Sequence, residues 1–261
     1  MRLEDEIKIA IFDIDSTLFD HKHGCFTPSA IEALKTLHEK GIKCAISTAR
    51  YFSSVKYLNT FNVFHIDAAS TYNSGFVCTD DGTVIKKTSF KKNEVEKILS
   101  IAKKHHITTL IATPKKAFVV GKKGKVYNEY ITHYKEEDVS CKEYEGEDVV
   151  GIVFFMRSYR DSIFNNLEFT HLRYSNLAIE CIPDHYQKGT GIKAILKYYG
   201  IAKENAMCFG DDIIDISMFK EVKYSIALGN AKEELKKIAY YVTDDISNDG
   251  IEKALKHFEI I

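Results

Sequence analysis

The chain has 261 residues, with 45% hydrophobic residues and 36 Lys+Arg against 37 Asp+Glu for a formal net charge of -1. That length can bury a sizeable core and is compatible with one large domain or two smaller ones. The near-neutral charge offers no broad electrostatic footprint for nucleic acid or an anionic membrane, so neither is expected as a partner and a small substrate is favoured over a polymer.

The N-terminus, Met1 to Lys8, is charged and lacks the apolar stretch of a signal peptide. Ile7 to Phe12 then forms an apolar run broken only by Lys8, as expected of a parallel strand buried on both faces. Thr27-Pro28 opens a helix, with Thr27 as its cap. Ile31, Leu34 and Leu37 supply its apolar stripe and Gly41 closes it. A strand over Ile42 to Ser47, a helix over Phe52 to Asn59 and a strand near Ile66 to Ser70 complete a β–α–β–α–β alternation. Short links make this the pattern of a doubly wound α/β domain.

Beyond this point the rhythm changes. Asp80-Asp81-Gly82 reads as a turn and Asn93 to Lys104 as a helix. Strands are expected at Thr108 to Thr113, Phe118 to Gly121, Val149 to Met156, Glu168 to Arg173 and Leu177 to Ile182. So many neighbouring strands imply an α+β insertion. After Pro183 the alternation resumes, with a helix at Gly189 to Tyr199, a strand at Ala206 to Phe209 and a further helix. A strand at Ser225 to Leu228 and a last helix at Asp249 to Phe258 follow. The expected organisation is a core of residues 1–82 and 184–261 with residues 83–183 inserted into it. The longest apolar runs are too short to cross a bilayer. Cys25, Cys44, Cys78, Cys141, Cys181 and Cys208 show no C-x-x-C spacing, which favours reduced thiols in a soluble cytoplasmic protein over a zinc site or disulfides.

Four short motifs lie at strand ends or helix starts. Asp13-Ile14-Asp15-Ser16-Thr17 follows the first strand and aims two carboxylates at one crevice. Close like charges are costly unless a cation offsets them, and Mg²⁺ with oxygen ligands suits the need. Gly210-Asp211-Asp212-Ile213-Ile214-Asp215 follows another apolar strand and can complete such a site, although helix capping explains one of these aspartates equally well. Ser47-Thr48-Ala49-Arg50 offers a hydroxyl and backbone N–H groups to a phosphate, or simply an N-cap. Lys188-Gly189 starts a helix, where the dipole disfavours a lysine that lacks an anionic neighbour.

In this order the motifs resemble those of the haloacid dehalogenase superfamily, and among its members the Cof-type phosphatases. The resemblance covers the whole chain. Ala227-Leu228-Gly229-Asn230-Ala231 and the segment Thr243 to Gly250 are similar to that family's closing segments. It implies a Rossmann-like parallel-sheet core with an inserted α+β cap, and a Mg²⁺-dependent phosphatase acting on small phosphorylated metabolites. Sugar phosphates and phosphorylated cofactors such as pyridoxal phosphate are the implied substrate class.

By the same resemblance, Asp13 is the nucleophile that forms an aspartyl-phosphate, and Asp15 is the general acid and then base. Asp13, Asp15 (through its backbone carbonyl), Asp211 and Asp215 form the implied metal set. Ile14, Thr48, Ala49 and Lys188 form the implied phosphate-binding set. Three positions depart from the family pattern: Ser16 and Ala49 stand where glycine is usual, and Ile214 stands where an asparagine usually contacts phosphate. Phosphoryl transfer to a second alcohol, as in a phosphotransferase or phosphomutase, is an alternative. So is a catalytically weak metabolite-binding module, for which Ile214 is the best argument. In the insertion, Tyr127, Tyr130, His133 and Tyr134 read as a partly buried helix face, or less simply as substrate contacts. No feature of the sequence points to a particular oligomeric state.

Overall fold

A computed structural model describes residues 6–164, 170–183 and 186–261. The chain forms two compact units: Met1–Ala49, Asn59–Lys86 and Gln187–Ile261 make the first, and Arg50–Leu58 with Lys87–Tyr186 make the second.

The first unit is built on β1 (Ile9–Phe12), four apolar residues in succession with no exposed surface. Such a strand must be covered on both faces and flanked on both edges. A small antiparallel hairpin follows, β2 (Phe19–Asp20) with β3 (Cys25–Phe26), and then the helix Pro28–Glu39. Thr27 occupies the cap position of that helix, but its hydroxyl makes no capping bond. β4 (Lys43–Ser47), β5 (Ala68–Thr71), β6 (Phe76–Thr79) and β7 (Val84–Lys87) come next.

The second unit contributes β8 (Thr108–Ala112), β9 (Ala117–Val120), β10 (Gly151–Phe155), β11 (Thr170–Ser175) and β12 (Ala178–Ile182). Back in the first unit, the helix Lys188–Tyr199 leads to β13 (Ala206–Gly210), β14 (Tyr224–Ala227), β15 (Tyr241–Val242) and the closing helix Gly250–His257. The eight-stranded sheet of this unit runs β15-β14-β13-β1-β4-β5-β6-β7, parallel from β15 to β5 and antiparallel between β5 and β6. The core is therefore the doubly wound α/β sheet expected from the alternating pattern.

Register positions the site. Phe12 lies opposite both Phe209 of β13 and Ile46 of β4, so these strands end level with one another. The Phe12 and Phe209 rings stack at 4.9 Å. The segments that follow, beginning at Asp13, Thr48 and Asp211, thus leave the sheet side by side. Ligands of open parallel sheets bind at that edge.

The second unit is an antiparallel sheet in the order β11-β12-β10-β8-β9, with the helices Lys92–Lys104 and Lys125–Tyr134. Val95, Ile98 and Ala102 of the first helix pack with Ile111, Ile152, Phe154 and Ile179 of the sheet. The second helix buries Tyr127 and Tyr130 against Phe155, with ring centres 5.0 and 5.1 Å apart. The Arg50–Glu136 ion pair, 3.1 Å long and almost wholly buried, ties Arg50–Leu58 to this unit. Arg50 also donates to the Tyr134 carbonyl, and the Tyr51 hydroxyl to that of Glu137.

Two expectations are corrected, and part of a third lies outside the described residues. The helix over Phe52 to Asn59 stops at Tyr57, because Asn59 takes a left-handed conformation (φ 62) before a separate turn at Thr60–Val63. The helix after β13 is a short 3-10 turn, Ile213–Asp215, followed by the single turn Ile216–Phe219. The strand expected from Glu168 is described only from Thr170, its beginning lying outside the described residues. All six cysteines are free, with Cys44, Cys78, Cys181 and Cys208 buried. Among the described residues, no helix is long and apolar enough to cross a membrane.

Candidate active site

Every residue of the site belongs to the first unit. Asp13 leaves β1 with its N–H bonded to the Phe209 carbonyl at 3.0 Å, which locks it to the neighbouring strand. The chain then turns tightly. The Ile14 carbonyl accepts N–H bonds from Leu18 and Phe19 at 2.9 and 2.7 Å, and the Ser16 N–H returns to the Phe19 carbonyl at 2.9 Å. Ser16 is left-handed (φ 60), a conformation costly for a residue with a Cβ, and Asn230 Nδ2 bonds its carbonyl at 2.9 Å. Thr17, fully buried, donates its hydroxyl to Asp211 Oδ1 at 2.9 Å.

Lys188 sits at the centre. Its side chain is 1% exposed, and Nζ lies 2.6 Å from Asp13 Oδ1 and 2.7 Å from Asp215 Oδ1. The other Asp215 oxygen accepts the N–H groups of Asp211 and Asp212 at 2.9 and 3.1 Å. This approach requires glycine at 210, since a Cβ there would meet Asp215 Oδ2 at 2.6 Å.

The start of the lysine helix is held by a strained loop. Tyr72, Asn73 and Ser74 all have positive φ, and the Ser74 hydroxyl lies 2.8 Å from the Gly191 N–H and 2.9 Å from the Gln187 carbonyl. Thr48, fully buried, directly follows β4, its N–H bonded to the Ser70 carbonyl and its carbonyl accepting the Asn73 N–H.

Carboxylate oxygens of Asp13, Asp211 and Asp215 all lie within 4.8 Å of one another. Burial pushes the Asp13 carboxyl up to about 8, with Asp215 and Asp15 adding to the effect and Lys188 opposing it. Burial likewise holds Asp211 well above the ordinary range, reinforced by Asp13 and Asp215. For Lys188 burial acts downward, yet attraction to Asp13 and Asp215 outweighs it and the net shift is upward. The upward shifts of Asp13 and Asp211 show how costly three clustered carboxylates are to ionise without a neutralising cation, and their oxygen donors suit a hard divalent ion.

A family pattern described as haloacid dehalogenase-like hydrolase matches residues 10–255. The chain belongs to this family. It is similar to the Bacillus subtilis protein YkrA, 27% identical over 259 residues, covering 97% of this chain and 98% of the relative. A second Bacillus subtilis relative, the 5-amino-6-(5-phospho-D-ribitylamino)uracil phosphatase YcsE, is 25% identical with 98% of each chain covered. Among solved structures, a sugar phosphatase of haloacid dehalogenase subclass IIB superposes with a TM-score of 0.84 at 28% identity, covering 97% of this chain and all of that one.

Within this haloacid dehalogenase-like site, the fold brings Asp13, Lys188, Asp211 and Asp215 together. The Asp15 carboxylate stands apart from that cluster and meets His21 Nε2 at 2.7 Å. Thr48 and Ala49 follow the adjacent strand. Ile14 buries its side chain completely, so only its backbone is available to a ligand. Ile214 is partly exposed and offers no polar side-chain atom. Two residues beside the site carry no sequence signal of their own: His21, whose hairpin is too short for a periodic pattern, and Ser74, whose loop carries neither glycine nor proline at its strained positions.

Proposed function

We propose that this chain is a Mg²⁺-dependent phosphatase that hydrolyses phosphomonoesters of small metabolites through a phosphorylated Asp13. The observation behind this reading is the cluster of Asp13, Asp211 and Asp215, with Lys188 Nζ 2.6 Å from the Asp13 carboxylate. Asp13, Asp211 and Asp215, with the Asp15 carbonyl, would hold the cation. When bound, it would supply positive charge beside the nucleophile and the phosphoryl oxygens.

The residues divide the work in two displacements. An Asp13 carboxylate oxygen bonds to phosphorus as the ester P–O bond breaks, and Asp15 delivers its proton to the departing alkoxide. Asp15, now a carboxylate, takes a proton from water as that oxygen bonds to phosphorus and the Asp13–phosphorus linkage opens. Lys188 and Thr48, with the backbone N–H groups of Ile14 and Ala49, hold the phosphoryl oxygens and offset anion–anion repulsion. The inserted α+β segment, residues 83–183, is the substrate-selecting cap in this reading. Relatives named for a phosphoribitylamino-uracil ester and for sugar phosphates favour a polyhydroxylated leaving group.

The test is phosphate release from p-nitrophenyl phosphate and a panel of sugar phosphates and pyridoxal phosphate, with Mg²⁺, with EDTA, and with Asp13→Asn. Release that needs the metal and disappears in the variant is expected. Absence of release from every ester by folded wild-type protein would sink the proposal.

A further inference from the structure

The hairpin after the first motif contains two Asp–His pairs with different consequences. Asp20, 5% exposed, accepts the N–H of Lys22 at 2.8 Å and meets His23 Nδ1 at 2.5 Å, while the Gly24 N–H bonds its carbonyl at 2.7 Å. Those bonds close the turn by themselves. The second pair is not needed for that purpose. His21 sets its ring edge-on to Phe19, with centres 5.1 Å apart, and brings Nε2 to 2.7 Å from Asp15 Oδ1. Phe19 in turn is fixed by its N–H on the Ile14 carbonyl and by its pairing with Phe26 across the hairpin. The backbone thus folds back on itself so that one imidazole faces the carboxyl group of the residue two places after Asp13.

We infer that His21 is a positioning residue for Asp15, an inference that rests on the proton-transfer role proposed for Asp15 above. The Nε2–H donates to Oδ1 and restricts rotation of the carboxyl group. Oδ2 is then left to carry the proton. In the first displacement that proton passes from Oδ2 to the leaving oxygen as the P–O bond breaks; in the second, Oδ2 accepts one from the attacking water. A carboxyl held in one orientation spends more of its time in hydrogen-bond reach of the leaving oxygen, and geometry of this kind governs general acid catalysis.

The experiment uses the full chain with Mg²⁺ and three proteins: wild type, His21→Ala and His21→Gln. Glutamine restores an N–H donor without the imidazole. Two esters are compared by kcat/KM, which reports steps through transfer to Asp13. One is p-nitrophenyl phosphate, whose leaving group departs without a proton. The other is the alkyl phosphate that wild type cleaves fastest.

For His21→Ala, kcat/KM on the alkyl ester is expected to fall ~10–100-fold, and on p-nitrophenyl phosphate by no more than about twofold. KM should hold steady, and His21→Gln should recover much of the loss. An equal fall on both esters, or none on the alkyl ester, in protein that melts like wild type overturns the inference alone. If His21→Ala fails to fold, the same comparison is read on His21→Gln, where equal loss on both esters again overturns it. An inactive wild type overturns the phosphatase reading and this inference with it.

Discussion

Lys188→Met is the sharpest test of the electrostatics. Methionine keeps most of the apolar volume of the lysine stem, so the variant removes charge with little change in packing. Lys188 lies within 2.7 Å of two carboxylates and is 1% exposed. Breaking such a buried pairing by deleting one partner costs about 3–5 kcal/mol, because the remaining charge is left uncompensated. At roughly 2–3 °C per kcal/mol for a chain of this size, the metal-free protein should melt about 6–15 °C lower.

The sign with pH is definite. The folded Lys188 is shifted upward, so its contribution is fully present below the ordinary lysine value and is not lost until pH exceeds its folded value. The aspartates of the variant can escape the penalty only by taking up protons, which becomes easier as pH falls. The deficit should therefore be larger near pH 8 than near pH 5, in thermal melts followed by circular dichroism in EDTA. A variant melting within about 2 °C of wild type near pH 8, or with the same deficit at both pH values, would refute the reasoning.

Other expectations follow from single contacts. In EDTA, wild-type stability should fall as pH rises from about 4 to about 8, because Asp13 in the folded chain retains a proton that the unfolded chain has already released; the melting increment from added Mg²⁺ should grow over the same range, and a flat increment would count against cation binding at these carboxylates. Gly191→Ala would drive a Cβ to 2.1 Å from the Ser70 hydroxyl and 2.5 Å from that of Ser74, and should destabilise by about 1–3 kcal/mol in urea unfolding. Arg50→Ala leaves Glu136 buried without its ion partner and should cost about 3–5 kcal/mol, read as earlier melting; Arg50→Ala combined with Glu136→Gln should regain part of it, and no regain would mean the pair is not the cause.

The alternating core was legible because each strand announces itself. Ile9–Phe12, Ala206–Gly210 and Tyr224–Ala227 are short apolar or small-residue runs, and each is buried throughout. The motif residues were legible because a strand end fixes where the next side chains go, and the level register of Phe12, Ile46 and Phe209 does the rest. What the pattern hid is equally physical. Arg50–Leu58 follows a strand of the first unit in sequence, yet groups with the second through Glu136 and Glu137, which lie more than eighty residues away. The helix Lys125–Tyr134 was legible only through Tyr127, Tyr130, His133 and Tyr134, which read as a partly buried helix face, because its polar face and its tyrosines blur the apolar stripe. Asn59 ends its helix by taking a left-handed backbone conformation.

The same distinction separates the strained positions from the regular ones. Ser16 and the run Tyr72–Ser74 adopt positive φ without glycine, at an expected cost of order 1–3 kcal/mol each. Neither stretch is idle. Ser16 lies in the turn that sends the chain from Asp13 back toward His21, with its carbonyl held by Asn230 and its N–H by Phe19. Ser74, at the end of the second stretch, accepts the Gly191 N–H and lies 3.1 Å from the Lys188 carbonyl, fixing the first turn of the helix that delivers Lys188. Both stretches therefore spend backbone conformational energy to aim a side chain at the Asp13 carboxylate or its neighbour. Local propensity argues against these conformations, and hydrogen bonds to Phe19, Asn230 and the start of the Lys188 helix hold them in place. That is why serine, despite its Cβ, can occupy position 16: the turn is imposed by Phe19 and Asn230 as much as by the residue that occupies it.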